Sequence, residues 1–173
     1  MKHCLTLFTL VFSLAFVPLA TAEDEAGCSG FNWPLDTELA WMAASDDVPL
    51  QSGAEMPTPP AKAIALTLQP AKSVTMPVTP GIKKQAVGAD TFSGWVMLSR
   101  VEKPGLYQIT LSSGAWVDVA QNGAVVRSSA FTGQKDCNAI HKSVRFEIGA
   151  GPVTVQISGA PEQKVRLAIR AAN

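Results

Sequence analysis

Histidine is almost missing from this chain: 173 residues hold two, His3 and His141. A serine nucleophile has no histidine partner beyond His141, and no Gly-x-Ser-x-Gly elbow stands anywhere in the sequence. Phosphate loops and dinucleotide fingerprints are absent too. Charge of one sign is not in excess, with 14 basic and 14 acidic residues and no long run of either. Binding nucleic acid by phosphate neutralisation needs clustered cations. Here Lys142, Arg145, Lys164, Arg166 and Arg170 fall singly along strand-like segments and read as solvated strand faces. Met42, Met56, Met76 and Met97 are dispersed, which gives a thioether copper site little support. No catalytic residues, no metal ligands and no cofactor are expected from these patterns.

One long apolar run is present, residues 4–19, and no second span follows it. It stands behind the basic Lys2 and ahead of Ala20-Thr21-Ala22 and the acidic Glu23-Asp24-Glu25. That order is a secretory leader, residues 1–22, cut after Ala22. Export to a periplasmic or extracellular compartment follows, with no membrane attachment once the leader is gone. His141 is then the single histidine of the mature chain. Cys4 leaves with the leader, and the remaining cysteines, Cys28 and Cys137, make an even pair bound for an oxidising compartment. A disulfide between them is the natural reading, since a metal or redox thiol pair would want a local C-x-x-C or nearby histidines.

Residues 31–42 carry Pro34 at a plausible first helical position, Asp36 and Glu38 in the first turn, and Leu35, Leu39 and Met42 at helical spacing. They predict a short helix. Residues 45–60 are rich in Asp, Ser, Gly and Pro and read as a connector, so residues 23–60 form an N-terminal helix and Pro-rich connector packed on the domain. From residue 61 to 173 the period is two. Ile64, Leu66 and Leu68 begin it, residues 73–79 form a second extended piece, and residues 91–102 carry apolar side chains on both parities. Residues 105–120 read as a hairpin, with Tyr107, Ile109 and Leu111 on a core face and Gln108, Thr110 and Ser112 on a wet one. Asn122-Gly123 is the strongest turn signal in the chain. Residues 124–131 follow as one strand, and three alternating strands over 141–148, 153–158 and 164–170 finish the domain. About eight short strands at regular spacing predict a mainly β fold, an antiparallel β-sandwich of jelly-roll-like character.

The order Cys28-Ser29-Gly30-Phe31-Asn32-Trp33-Pro34, Gly105-Leu106-Tyr107-Gln108-Ile109, Ala115-Trp116-Val117-Asp118-Val119, and Ala130-Phe131-Thr132-Gly133-Gln134 ahead of Cys137 and His141-Lys142 resembles a family of small secreted proteobacterial proteins. Many members of that family bear the name homogentisate 1,2-dioxygenase. The C-terminal two thirds is also similar in pattern to pre-peptidase C-terminal domains and carbohydrate-binding β-sandwiches. The dioxygenase name implies an iron held by two histidines and a carboxylate, against which the mature chain offers His141 alone.

Four residues are candidates for ligand binding. His141 is a ligand or proton carrier beside Cys137, or a half-buried histidine bonded to a loop carbonyl. Asp118 holds a cation or a sugar hydroxyl, or pairs with a lysine. Trp116 and Trp33, with Trp41 and Trp95, form a sugar-stacking platform or belong to the core and its edge. The expected function is an exported binding or accessory module, and the alternative is an enzyme, the dioxygenase of the family name. The expected partner is a carbohydrate or another envelope protein. A functional surface is expected where the Cys28–Cys137 link brings the helix, His141 and the loop 132–140 together.

Overall fold

A chain that alternates apolar and polar residues buries its apolar parity by laying one sheet on another. The structure, a computed structural model, describes residues 27–83 and 87–172 of the chain; the leader expected over residues 1–22 lies outside them. A 3-10 turn, Cys28–Gly30, and helix α1, Asp36–Ala43, come first. The strands are β1 Val48–Gln51, β2 Ala54–Met56, β3 Ile64–Thr67, β4 Gln69–Pro70, β5 Phe92–Val101 and β6 Gly105–Leu111. They continue as β7 Trp116–Gln121, β8 Ala124–Val126, β9 Ser128–Gly133, β10 Lys142–Ile148, β11 Gly151–Ala160 and β12 Lys164–Ala171.

These make two sheets. The first runs β1-β3-β12-β6-β10-β9, and the second β2-β5-β11-β7-β8 with β4 on the flank of β5. Pairing is antiparallel except for β1 with β3 and β2 with β5. Between the sheets lies one core. Ile64, Leu66, Ile109, Leu111, Phe146 and Leu167 come from the first, and Val96, Leu98, Val119, Val155 and Ile157 from the second. The fold is a β-sandwich, as the alternation predicts.

Several local expectations are corrected. Twelve strands are present among the described residues, not about eight, because the connector 45–60 contains β1 and β2, β4 is added, and 124–131 divides. The chain crosses between sheets at Arg127, so β8 pairs with β7 in one sheet and β9 with β10 in the other. The hairpin expected over 105–120 is an arch. β6 lies in the middle of the first sheet with both edges taken, by β12 and β10, so β7 crosses to the second sheet and pairs with β11 and β8. Ile109 and Leu111 then meet Val117 and Val119 across one core rather than side by side. Nor is the other face of β6 wet, for Gln108 and Thr110 are fully buried. The Asn122-Gly123 turn stands as expected, closing Gln121 against Ala124, with φ of 54° and 75° at its two residues.

Helix α1 starts later than predicted. Pro34 lies ahead of it, while Asp36 and Glu38 occupy the first turn, where carboxylates favour the positive end of the helix dipole. Leu35 and Met42 are buried on a second apolar cluster with Cys28, Cys137, Ile140 and Ala168. The helix covers the outer face of the first sheet. Glu38, 0% exposed, receives the Gln108 side-chain amide and, at 2.8 Å, the Nε–H of Arg170. Arg166 donates to the carbonyls of Trp41, Met42 and Ala44 at the helix C-terminus and to Asp47 at 2.5 and 2.6 Å. Arg145 donates to Gln108 Oε1 at 3.2 Å. The expectation of solvated strand faces is therefore corrected for Arg145, Arg166 and Arg170, half-buried beneath the N-terminal segment; Lys164 is exposed.

The second sheet has its own cover. Residues 73–79, expected as an extended strand, instead form part of a strap over its outer face, tied by side chains. Trp95 Nε1–H donates to Thr75 O at 3.2 Å, and Gln156, fully buried, bonds both main-chain groups of Val78.

Candidate functional site

The two sheets come together where the chain steps from β8 to β9. β8 and β9 are the last strands of their sheets, so this edge of the sandwich has no further strand to close it. Register decides what faces the gap. Lys142 stands opposite Leu111, and Phe131 opposite Val144, so both belong to the core-facing parity of the first sheet. Neither finds a facing strand to cover it completely. From the second sheet come Val117, on its core-facing parity, and Trp116, which begins β7 on the other parity. Together with Ser128 these residues line a slot of about 270 Å³. Trp116 is 43% and Phe131 59% exposed, unusual for large aromatic rings that share one recess.

The Lys142 ammonium lies 5.8 Å from the centre of the Phe131 ring, within reach of a cation–π attraction. Burial pushes its pKa below that of an ordinary lysine. Among the described residues, no carboxylate lies within ion-pair distance of it. The lysine expected on a solvated face is thus half-buried between the sheets.

Asp118 is bonded inside the fold. Its Oδ2 accepts the Gly81 N–H of the strap at 3.0 Å, and its Oδ1 accepts the Trp116 indole N–H at 2.9 Å. The aspartate holds the indole edge of Trp116 beside Gly81 of the strap, the two side chains sharing the parity of β7 opposite Val117 and Val119. Trp33 lies elsewhere. The Arg145 guanidinium is centred 4.2 Å over its ring, on the outer side of the first sheet, so Trp33 and Trp116 do not share a surface. Trp41 packs with Trp33 on the helix-side cluster, and Trp95 lies under the strap.

Cys28 and Cys137 have their sulfurs 2.08 Å apart, at disulfide distance, closing a separation of 109 residues. Around them the expected gathering of segments is present. Gln134 donates its side-chain amide to Gly30 O, Asn32 N–H donates to Thr132 Oγ1 at 3.0 Å, and Gln134 N–H donates to His141 O at 3.0 Å. The His141 ring lies against Gly114, where a Cβ would come within 3.3 Å of its Nε2. Burial, then the charges of Lys142 and Lys135, push its pKa below 6.5. The imidazole lies in a cationic corner.

No three His, Cys, Asp or Glu side chains among the described residues gather to hold a metal ion. The iron implied by the dioxygenase name needs two histidines and a carboxylate. Among the described residues His141 is the one histidine, and its charged neighbours are lysines, so the residues present do not fit that group.

Phe131 and Lys142 were not singled out as site residues from sequence. The signal was there for Lys142, which shares the parity of Val144, Phe146 and Ile148, the inward side of a strand. Phe131 gave none, because its exposure follows from β9 being the last strand of its sheet. Compared with known proteins, the chain matches no family model and no curated protein.

Proposed function

We propose that this protein is an exported binding module that takes a carbohydrate ring between Trp116 and Phe131. The observation that carries the reading is the pair of exposed aromatic rings on one slot at the open edge of the sandwich. Aromatic faces accept the C–H faces of sugar rings, and exposing two of them in one recess is a standing cost unless something covers them. A slot of about 270 Å³ is slightly below the roughly 300–1,000 Å³ of sites for drug-sized ligands, a size for one or two rings.

Export is supported by the leader-like residues 1–22 and by two cysteines at disulfide distance, a bond that persists in oxidising compartments. Among the described residues, no helix is long and apolar enough to cross a membrane. The resemblance to small secreted proteobacterial proteins and to carbohydrate-binding sandwiches agrees with this reading. Another envelope protein as partner is the competing occupant.

A glycan array probed with the mature protein, beside Trp116→Ala and Phe131→Ala, tests it. Retention of a defined set of sugars by the wild type, lost in both variants while their melting is unchanged, is the expected result. An array silent for the folded wild type would end the carbohydrate reading.

A further inference from the structure

Resting on the slot as a carbohydrate site, we infer that its ligand is an acidic sugar, a single six-membered ring bearing a carboxylate, and that Lys142 is the anchor for that carboxylate. The slot has an uneven electrostatic character. Its walls are apolar, from Trp116, Phe131, Val117 and Val144, and its one charged group is a cation. Three other cations have close carboxylate partners, Arg166 with Asp47, Arg170 with Glu38 and Lys62 with Asp46, and half-buried Arg145 is held by the Trp33 ring and Gln108 Oε1. Lys142 has no carboxylate within reach among the described residues, although it is half-buried on the inward parity of β10.

Burying an ammonium costs solvation that only an anion or several acceptors restore. A neutral sugar would cover the aromatic rings and desolvate Lys142 further. A uronate covers the same rings and supplies the missing charge, through a charge-assisted hydrogen bond of the stronger kind. Asp118 is not among the residues that line the slot: it lies on the other parity of β7 from Val117, its oxygens bonded to the Gly81 N–H of the strap and to the Trp116 indole. The Ser128 hydroxyl, on the slot's rim, is available to a ring hydroxyl.

An inward lysine near a sheet edge has another use, guarding the edge against pairing with a second chain. The two uses differ in what removal of the charge does. Calorimetric titration of the mature protein with glucuronate, galacturonate, glucose, galactose and benzoate, repeated with Lys142→Met and Lys142→Arg, separates them. The wild type is expected to bind at least one uronate about tenfold or more tightly than its neutral counterpart. Lys142→Met should erase that preference and Lys142→Arg retain it.

Equal affinity for uronate and neutral sugar in the wild type would overturn the inference and leave the sugar site standing. Unaltered preference in Lys142→Met would overturn it, and aggregation of that variant alongside would assign the lysine to edge protection. Tighter binding of benzoate than of either uronate would overturn it in favour of an aromatic acid. Silence toward every sugar would remove the carbohydrate reading and this inference together. Should Lys142→Met fail to fold, the wild type decides alone. Uronate affinity must then fall between about 0.05 and 0.5 M salt while neutral-sugar affinity holds, and a flat response refutes the anchor.

Discussion

Gln156 treats Val78 as a neighbouring strand would. Its Oε1 accepts the Val78 N–H at 2.8 Å and its Nε2–H donates to the Val78 carbonyl at 3.2 Å, so one side chain in the middle of β11 satisfies both main-chain groups of a residue 78 positions away. With the Gly81–Asp118 and Trp95–Thr75 bonds this fastens the strap over the second sheet, as α1 covers the first. Because Asp118 also holds the Trp116 indole, the strap and the slot wall share one carboxylate.

Gln156→Leu should therefore loosen the strap before it unfolds the sandwich. The leucine fills similar space but leaves Val78 without its two partners, at a cost of about 1–3 kcal/mol. Faster proteolytic cleavage within residues 73–83, with the sandwich still folded by circular dichroism, is the expected outcome. Cleavage no faster than in the wild type would show that the strap is held by other means.

Glu38 and Arg170 form a pair in which the carboxylate is wholly buried. Removing one partner of a buried pair costs about 3–5 kcal/mol, because the remaining charge loses its compensation. Urea unfolding of Glu38→Ala should show a loss of that order, with Glu38→Gln closer to the wild type. In the double change Glu38→Leu with Arg170→Leu, the combined loss should fall short of the sum of the single losses; strict additivity would mean that the two side chains do not interact.

The covalent link between Cys28 and Cys137 closes a separation of 109 residues, worth about 4–5 kcal/mol in the chain-entropy account. Replacing both cysteines with serine should lower stability by up to this amount while leaving the sandwich assembled. Intact-mass measurement of alkylated protein should gain two adducts only after reduction.

His141 sets a pH dependence whose sign follows from its cationic, partly buried corner. Its folded pKa lies below 6.5, so on acidification the unfolded chain takes up the proton first and folding weakens as pH falls from about 6.5 toward the folded value. His141→Gln should flatten that part of the stability profile, followed by melting between about pH 7.5 and 5. Lys142 acts on the alkaline side. Its folded pKa lies below 10.5, and stability should rise with pH across the window between the two values.

How much of this was legible beforehand depends on the distance over which each feature is decided. The inward sets Val144, Phe146 and Ile148, Val153, Val155 and Ile157, and Val165, Leu167 and Ile169 follow from alternation within a few residues, and all are buried. The turn at Asn122-Gly123 is as local, because it rests on the positive φ that those two residues tolerate. The arch at 112–115 looks like a hairpin in the sequence because both arrangements place the same residues on the apolar face. Alternation states which side chains share a side, not which strand lies beside them.

The candidate site divides along the same line. Trp116 stands out of the core parity in the sequence, whereas Lys142 reads there as part of a solvated strand face although it shares the parity of Val144, Phe146 and Ile148. Phe131 as the facing wall was not, since β9 becomes exposed only because the first sheet ends with it. Likewise the sequence offers Asp118 as a holder of a cation or sugar hydroxyl or as a lysine's partner, while the fold gives it Gly81 of the strap and the Trp116 indole; Glu38 reads as a helix-start acid, and the fold brings it Gln108 and Arg170.

By itself the sequence determined the alternating core, the paired cysteines and the tight turn, since each depends on local stereochemistry or simple parity. Only the tertiary structure decided which sheet each strand joins, what covers the two outer faces, and where an aromatic slot with an uncompensated lysine opens. Those features depend on contacts between residues tens of positions apart, and no local pattern encodes which distant partner will satisfy a buried polar group.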